Sequence, residues 1–364
     1  MRNSIYENKE NDISSGNVYP RKNRDYVDIY SSERRKERRK RIPILRVISF
    51  VFFLTLGIIG GIMIYGYHTL NSFNYEYVES KNVPENVNGV SENGADVDGL
   101  VNDKMVLNVL LIGSDSMSVG DGGRSDSLLI ASLNIRTKKL KITSIMRDIW
   151  VDIPGYGKDR MNAAYAYGGP KLTIDTVQKN FGVLIDRFVC VDFEGFSKIV
   201  DSLGGIDMKL TPAECAYINK FSGDKHILKC SGKGPELVHL TGLQALHHSR
   251  NRNSKGSDYD RTTRQRDVIK AIIESLKNSN ITKITEIVAT LAPLITTNFK
   301  TSEITRLASN ATSYLNFPME EFRLPTNDNV KDEIHQQKMV LAIKNLNKAK
   351  EDLRNFIYET SESK

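Results

Sequence analysis

Between Val47 and Tyr67 the chain reads VISFVFFLTLGIIGGIMIYGY, 21 residues without a single charge. About 20 apolar residues at ~1.5 Å rise per residue span a bilayer core of roughly 30 Å. Immediately before the run stands ERRKERRKRIPILR, and positive charge beside a membrane span holds that end in the cytoplasm. The sequence therefore predicts one transmembrane helix that acts as a signal anchor at the cell membrane, with the N-terminus cytoplasmic and everything after it extracellular. A cleavable signal peptide fits less well. Its apolar core would be only ~7–15 residues long, and no small-x-small cleavage site follows the run.

The formal charge of +7 and pI of about 9.0 invite a nucleic-acid reading, which the distribution of charge excludes. Residues 1–46 carry 13 Lys+Arg and 7 Asp+Glu, which leaves 38 and 37 for the rest of the chain. The basicity belongs to the arm beside the membrane, and the remainder is close to neutral. Residues 1–46 read as a basic cytoplasmic tail and 47–67 as the anchor. Residues 68–104, rich in Asn, Gly, Glu and Asp, read as a linker. Residues 105–364 read as one extracytoplasmic domain.

Within that domain MVLNVLLIG, SLLIASLN and LKITSIM read as strands. Their lack of polar alternation predicts cover on both faces. KLTIDTVQKNFG, FEGFSKIVDSLGG and TRQRDVIKAIIESLKN repeat apolar residues at helical spacing, and the first two run into Gly182 and Gly204, as helix ends often do. Further strands are expected at RFVCVD and IDMKL, and a mainly helical region after about residue 280. This mixture predicts an α/β fold: a layered αβα domain around a central mixed β-sheet.

Three polar clusters follow apolar segments. In GSDSMSVGDGGRSDSLLIASLN, a glycine-rich turn between two antiparallel strands would bring Asp115 and Asp126 to one end of the sheet, with Arg124 beside them. Two adjacent carboxylates repel unless a cation or proton lies between them, and hard oxygens suit Mg²⁺; loop solvation is the plainer alternative. SIMRDIWVDIPG places Arg147 and Asp148 at a strand end, with Arg160, Asn162 and Tyr165 as donors close behind. HSRNRNSKGSDYDRTTRQRDVIKAI holds Arg250, Arg252, Arg261, Arg264 and Arg266. A helix beginning near Asp258 or Asp260 would set Arg261 and Gln265 on one face with Arg264 nearby. Guanidiniums converging at a helix start make a phosphate site, whereas a solvated charged face is the plainer reading.

The order NVLLIGSD, GGRSDSLLIASLN, SIMRDIWVDIPG, NAAYAYGG, VDFEGFSKIVDSLGGID, HLTGLQALHHSRNR and DYDRTTRQRDVI resembles the LytR–CpsA–Psr family over about residues 105–275. The resemblance implies a phosphotransferase that moves a glycopolymer, such as teichoic acid or capsule, from a polyprenyl pyrophosphate carrier to peptidoglycan. It implies an Mg²⁺ or Mn²⁺ ion held by Asp115 and Asp126, and pyrophosphate binding by Arg124, Arg147, Arg250, Arg252, Arg261 and Gln265. Asp115, Asp126, Arg147 and Asp148 would form the catalytic group, and an apolar tunnel would take the polyprenyl chain. Met146, Ala163 and Ser254 depart from the family's usual Pro, His and acidic residue, and Arg160 stands for a common Lys. Two other functions remain open to the same residues: a lipid-pyrophosphate phosphatase, and a membrane-tethered receptor of anionic lipid or glycan with no enzymatic activity.

Cys190 reads as a core residue. Cys215 and Cys230 either bridge, as the outside of a cell permits, or stay reduced. His247 and His248, being adjacent, point in different directions on a helix and read as surface or core residues rather than zinc ligands.

Overall fold

The computed structural model describes residues 73–76, 100, 103–116, 123–251, 258–279, 287–288 and 290–359. The transmembrane run, the cytoplasmic tail and most of the expected linker lie outside these residues. Among the described residues no helix is long and apolar enough to cross a membrane.

In chain order the elements are β1 (Asn74–Tyr75), β2 (Val106–Ser114), β3 (Ser125–Asn134), β4 (Lys139–Ile145), β5 (Trp150–Ile153), β6 (Gly157–Arg160), α1 (Ala163–Phe181), β7 (Arg187–Asp192), α2 (Phe193–Ser202), β8 (Ile206–Leu210), α3 (Pro212–Phe221), β9 (Glu236–Leu240), α4 (Gly242–Arg250), α5 (Asp258–Lys277), β10 (Ile295–Thr297), α6 (Thr301–Ser309), α7 (Ala311–Leu315), β11 (Met319–Leu324), β12 (Val330–His335), β13 (Lys338–Ile343) and α8 (Leu346–Tyr358). Among the described residues, seven strands form the central sheet in the order β1-β10-β7-β2-β3-β4-β11. It is mixed, as expected. β2 runs antiparallel to β3 and parallel to β7, and β4 runs antiparallel to β3 and parallel to β11. Asn74–Tyr75, inside the segment read as linker, adds the edge strand beside β10. Asn74 Nδ2 donates to the Pro293 carbonyl at 2.7 Å and fastens that edge.

β2 shows how the sheet organises the molecule. Its burial alternates residue by residue from Val106 to Ser114, because successive side chains point to opposite faces. Leu110 and Ile112 join Ile130 and Phe188 on one face, packed against Ile174, Val177 and Phe181 of α1 and Leu353 and Ile357 of α8. The intermediate positions, including Leu111, face α2, α4 and α5. A second apolar cluster unites those helices with α3 and the β8–β9 pair through Val200, Leu210, Cys215, Leu240 and Val268.

The helix ends follow local chemistry. Gly182 takes φ 70° and donates its N–H to Gln178 O, closing α1 where the sequence placed a stop. Thr211 with Glu214 and Thr241 with Gln244 form reciprocal capping boxes on α3 and α4. A disulfide joins Cys215 to Cys230, and Cys190 is fully buried. His248 is buried too, whereas His247 is partly exposed.

The C-terminal third departs from expectation. The run KMVLAI, inside the region expected to be mainly helical, is strand β13, paired with β12 in a hairpin. Its turn residues Gln336 and Gln337 take φ 48° and 63°. A two-residue hairpin turn of this type I′ kind has positive φ at both positions and is usually announced by Asn or Gly. A Gln-Gln pair gives no such warning.

Candidate active site

The site grows from an irregularity in the β2–β3 hairpin. Gly113 pairs with Ser127, but Ser114 pairs with Ser125, so Asp126 is the extra residue of a β-bulge. A bulge leaves its residue out of the ladder and re-aims it. The side chain and the carbonyl of Asp126 both receive guanidinium groups. Arg147 Nη1 lies 2.5 Å and Arg261 Nη2 3.3 Å from Oδ1, and Arg250 Nη2 lies 3.9 Å from Oδ2. The carbonyl accepts hydrogen bonds from Arg261 Nη2 at 2.8 Å and Gln265 Nε2 at 3.4 Å. Residues from β3, α4, α5 and the segment after β4 thus meet at one amino acid.

Burial works against the charge on Asp126, but the Arg261 and Arg147 guanidiniums outweigh it and hold the carboxyl below its ordinary range. A carboxylate so held suits binding cations more than accepting a proton. Asp148 stands behind Arg147. Its Oδ2 lies 3.2 Å from Arg147 Nε, and its Oδ1 lies 3.5 Å from Arg160 Nη1. The Asn162 N–H donates to Arg147 O at 3.0 Å, which fixes the backbone that presents the guanidinium. Met146 N–H donates to Leu324 O, a bond that a proline at this position could not make. Tyr165 O–H donates to Ser116 O at 3.2 Å, tying α1 to the residue after Asp115.

Asp115 and Arg124 close the neck of the hairpin. Arg124 N–H donates to Asp115 Oδ1 at 2.6 Å, and Asp115 N–H donates to Arg124 O at 3.3 Å. Asp115 and Asp126 therefore occupy the same end of neighbouring strands. Two hard carboxylates fit a divalent ion that takes its remaining ligands from phosphate and water. Among the described residues no group of three or more His, Cys, Asp or Glu side chains could hold a metal unaided.

The arginine-rich third cluster divides. Arg250 and Arg261 reach Asp126, and Arg250 also lies over the Phe193 ring, 4.0 Å from its centroid. Arg264, expected near the face of Arg261 and Gln265, points elsewhere: its Nε lies 2.9 Å from Glu214 Oε1, and its Nη1 donates to Asn251 O. Arg266 binds Glu321 and the Ser144 hydroxyl. At roughly 100° per residue, a helix turns the side chains at 264 and 266 away from the face shared by 261 and 265. Arg252 lies outside the described residues, as do Ser254, Gly256 and Ser257.

Beneath Asp126 opens a cavity of about 280 Å³. Its walls are Leu111, Leu129, Val189 and Val191 from the sheet, Phe193, Phe196 and Ile199 from α2, Leu246 from α4, and Val268, Ile269 and Ile272 from α5. Asp126, Arg250, Arg261 and Gln265 are its polar residues on the side of the bulge. Sequence reading did not single out Phe193 or the bulge. Only a one-residue mismatch in strand pairing reveals the latter.

A layered α/β protein with a guanidinium-ringed carboxylate over an apolar chamber is built for a ligand that joins an anionic head to a hydrocarbon tail. The sequence model of the LytR_cpsA_psr family matches residues 62–355, and the chain belongs to that family. It is 34% identical over 273 residues to the polyisoprenyl-teichoic acid–peptidoglycan teichoic acid transferase TagU of Bacillus licheniformis, covering 74% of this chain and 80% of the relative. Among solved structures it resembles TagT bound to LI-WTA, with 27% identity, a TM-score of 0.57, and coverage of 70% of this chain and 91% of that one. It also resembles the LytR-CPS2A-psr family protein YwtF (TagT) with bound octaprenyl pyrophosphate lipid, with 26% identity, a TM-score of 0.54, and coverage of 70% and 91%.

Proposed function

We propose that this protein transfers a glycopolymer from a polyprenyl pyrophosphate carrier to peptidoglycan. The observation that carries the reading is Asp126, held by Arg147, Arg261 and Arg250 at the polar side of an apolar cavity. The diphosphate occupies the ring of guanidiniums, which grip phosphate oxygens bidentately. The family resemblance assigns Arg124 and Arg252 to the same diphosphate. The hydrocarbon enters the cavity, where each buried CH₂ contributes about 0.8 kcal/mol. The relatives named as a teichoic acid transferase and as a lipid pyrophosphate complex support both halves.

The acceptor hydroxyl oxygen bonds to the phosphorus that carries the glycan. The bond between that phosphorus and the bridging oxygen breaks, polyprenyl monophosphate leaves with the electron pair, and the hydroxyl proton passes to solvent. Arg147, Arg250 and Arg261 hold the equatorial and leaving oxygens while charge moves between them. Asp148 positions Arg147 from behind. Asp115 and Asp126 would hold Mg²⁺ or Mn²⁺, which supplies further neutralisation of the diphosphate. The run Val47–Tyr67 anchors the chain in the cell membrane, N-terminus inside and catalytic domain outside, and so keeps the domain beside its lipid substrate.

The test is incubation of the protein with a lipid-pyrophosphate oligosaccharide, Mg²⁺ and peptidoglycan fragments, followed by mass spectrometry. A phosphodiester-linked product is expected. Free sugar phosphate alone would replace this reading with a phosphatase, and tight binding without turnover would replace it with a receptor.

A further inference from the structure

On the opposite side of the sheet from the cavity, the β5–β6 ribbon and α1 carry a feature the transfer reaction has not yet used. Tyr156, in the turn between β5 and β6, stacks on Tyr167 of α1 with ring centroids 4.8 Å apart and planes 11° from parallel. Both residues are open to solvent, at 58% and 41% exposure. An exposed tyrosine usually turns its hydroxyl to water, but here both hydroxyls are anchored to protein. Tyr156 O–H donates to Tyr167 O at 3.3 Å, and Tyr167 O–H donates to Asp159 Oδ2 at 2.7 Å. Asp159 is itself fixed by Lys338 Nζ at 3.1 Å and by the Arg160 N–H at 2.8 Å. The rings are thus held rigid, with aromatic surface rather than hydroxyl presented outward.

The pair is continuous with the active site. Asp159 is joined to Arg160, whose guanidinium reaches Asp148, which backs Arg147. In an in-line displacement the attacking oxygen arrives opposite the leaving group. The leaving polyprenyl phosphate lies on the cavity side, between the sheet and α2, α4 and α5. An acceptor arriving from the side away from the cavity can reach the diphosphate past the first turns of α1, where Tyr167 stands.

We infer that the Tyr156–Tyr167 pair is the platform on which a pyranose ring of the acceptor glycan stacks, holding its hydroxyl toward the diphosphate. The inference rests on the transferase reading. Its chemistry is that of an aromatic surface whose negative quadrupole attracts the polarised C–H bonds of a sugar ring, beside a polar rim of Asp159, Lys338 and Arg160. A rigid aromatic surface also binds with little ordering cost.

The experiment uses the full chain in detergent with a lipid-pyrophosphate saccharide and soluble peptidoglycan glycan fragments. Tyr156→Ala and Tyr167→Ala are expected to raise the acceptor KM roughly three- to tenfold, with kcat and the donor KM nearly unchanged. Tyr156→Phe, which keeps the ring, should retain the wild-type acceptor KM. Saturation-transfer NMR on the glycan fragment reads the same contact without turnover, and its signal should fall in both alanine variants. An acceptor KM and NMR signal unchanged in both alanine variants overturn the platform, and so does a rise confined to the donor KM. If the wild-type protein shows no turnover but the alanine variants lose the NMR contact, the platform stands and the transferase reading falls.

Discussion

The two faces of the central sheet are built from the same strands and nearly the same residue types, yet one is solid and the other hollow. On the α1 and α8 side, Leu110, Ile130, Phe181, Leu353 and Ile357 are completely buried. On the other side, Leu111, Val189 and Val191 look into a cavity of about 280 Å³. A continuous apolar run therefore says that a face is shielded from water, but not that it is filled. Interiors normally pack to near-crystalline density, so a void bounded by a ring of guanidiniums reads as a place kept for a ligand.

Substitutions can break or sharpen that contrast. The largest stability effect belongs to the solid side, where Phe181→Ala should cost about 3–5 kcal/mol in urea unfolding. A loss under about 1 kcal/mol would mean that this side is loosely packed as well. At the mouth of the hollow side, Asp126→Asn should lower turnover of the folded protein by about 10²-fold and also lower the urea midpoint, because Arg147 and Arg261 lose the carboxylate between them; undiminished transfer would remove Asp126 from the machinery. Leu111→Phe projects into the cavity. It should change stability by less than about 1 kcal/mol, where a packed core would lose ~1–3, and should weaken polyprenyl phosphate binding in a titration.

The last effect is one of pH and lies outside both faces. His248 is buried beside Arg264 and Glu214, and burial above all pushes its imidazole down to about 4. The unfolded chain, with an ordinary imidazole near ~6.5, binds the proton first. Stability contributed by the neutral ring is therefore present above about 6.5 and is lost as pH falls toward 4. His248→Gln should flatten that limb of a thermal-melting pH profile. An unchanged slope between those values would remove His248 as the source of that limb.

Much of this architecture is legible in the sequence where chemistry is local. The β2–β3 hairpin and the end of α1 at Gly182 follow from short-range patterns, whereas Arg147 and Asp126 stand in separate sequence clusters that only the family resemblance joined in one site. Arg264 and Arg266 were harder, because a cluster in sequence says nothing of helix phase until the helix start is fixed. The β12–β13 hairpin was misread because its turn is made by two glutamines, and the bulge at Asp126 has no composition signal at all. His248 and Cys190 fell among the buried residues, as adjacent apolar patterning suggested for Cys190. The Cys215–Cys230 bridge was one of two open outcomes that spacing could not decide.

The bulge has one more consequence. In the resting protein Asp126 already occupies the arginines with a negative charge of its own, so they never face one another bare. An arriving diphosphate swaps one anion for another and does not neutralise naked cations. Its grip is then a difference between two similar attractions, which favours release of the spent lipid phosphate as much as capture of the fresh donor.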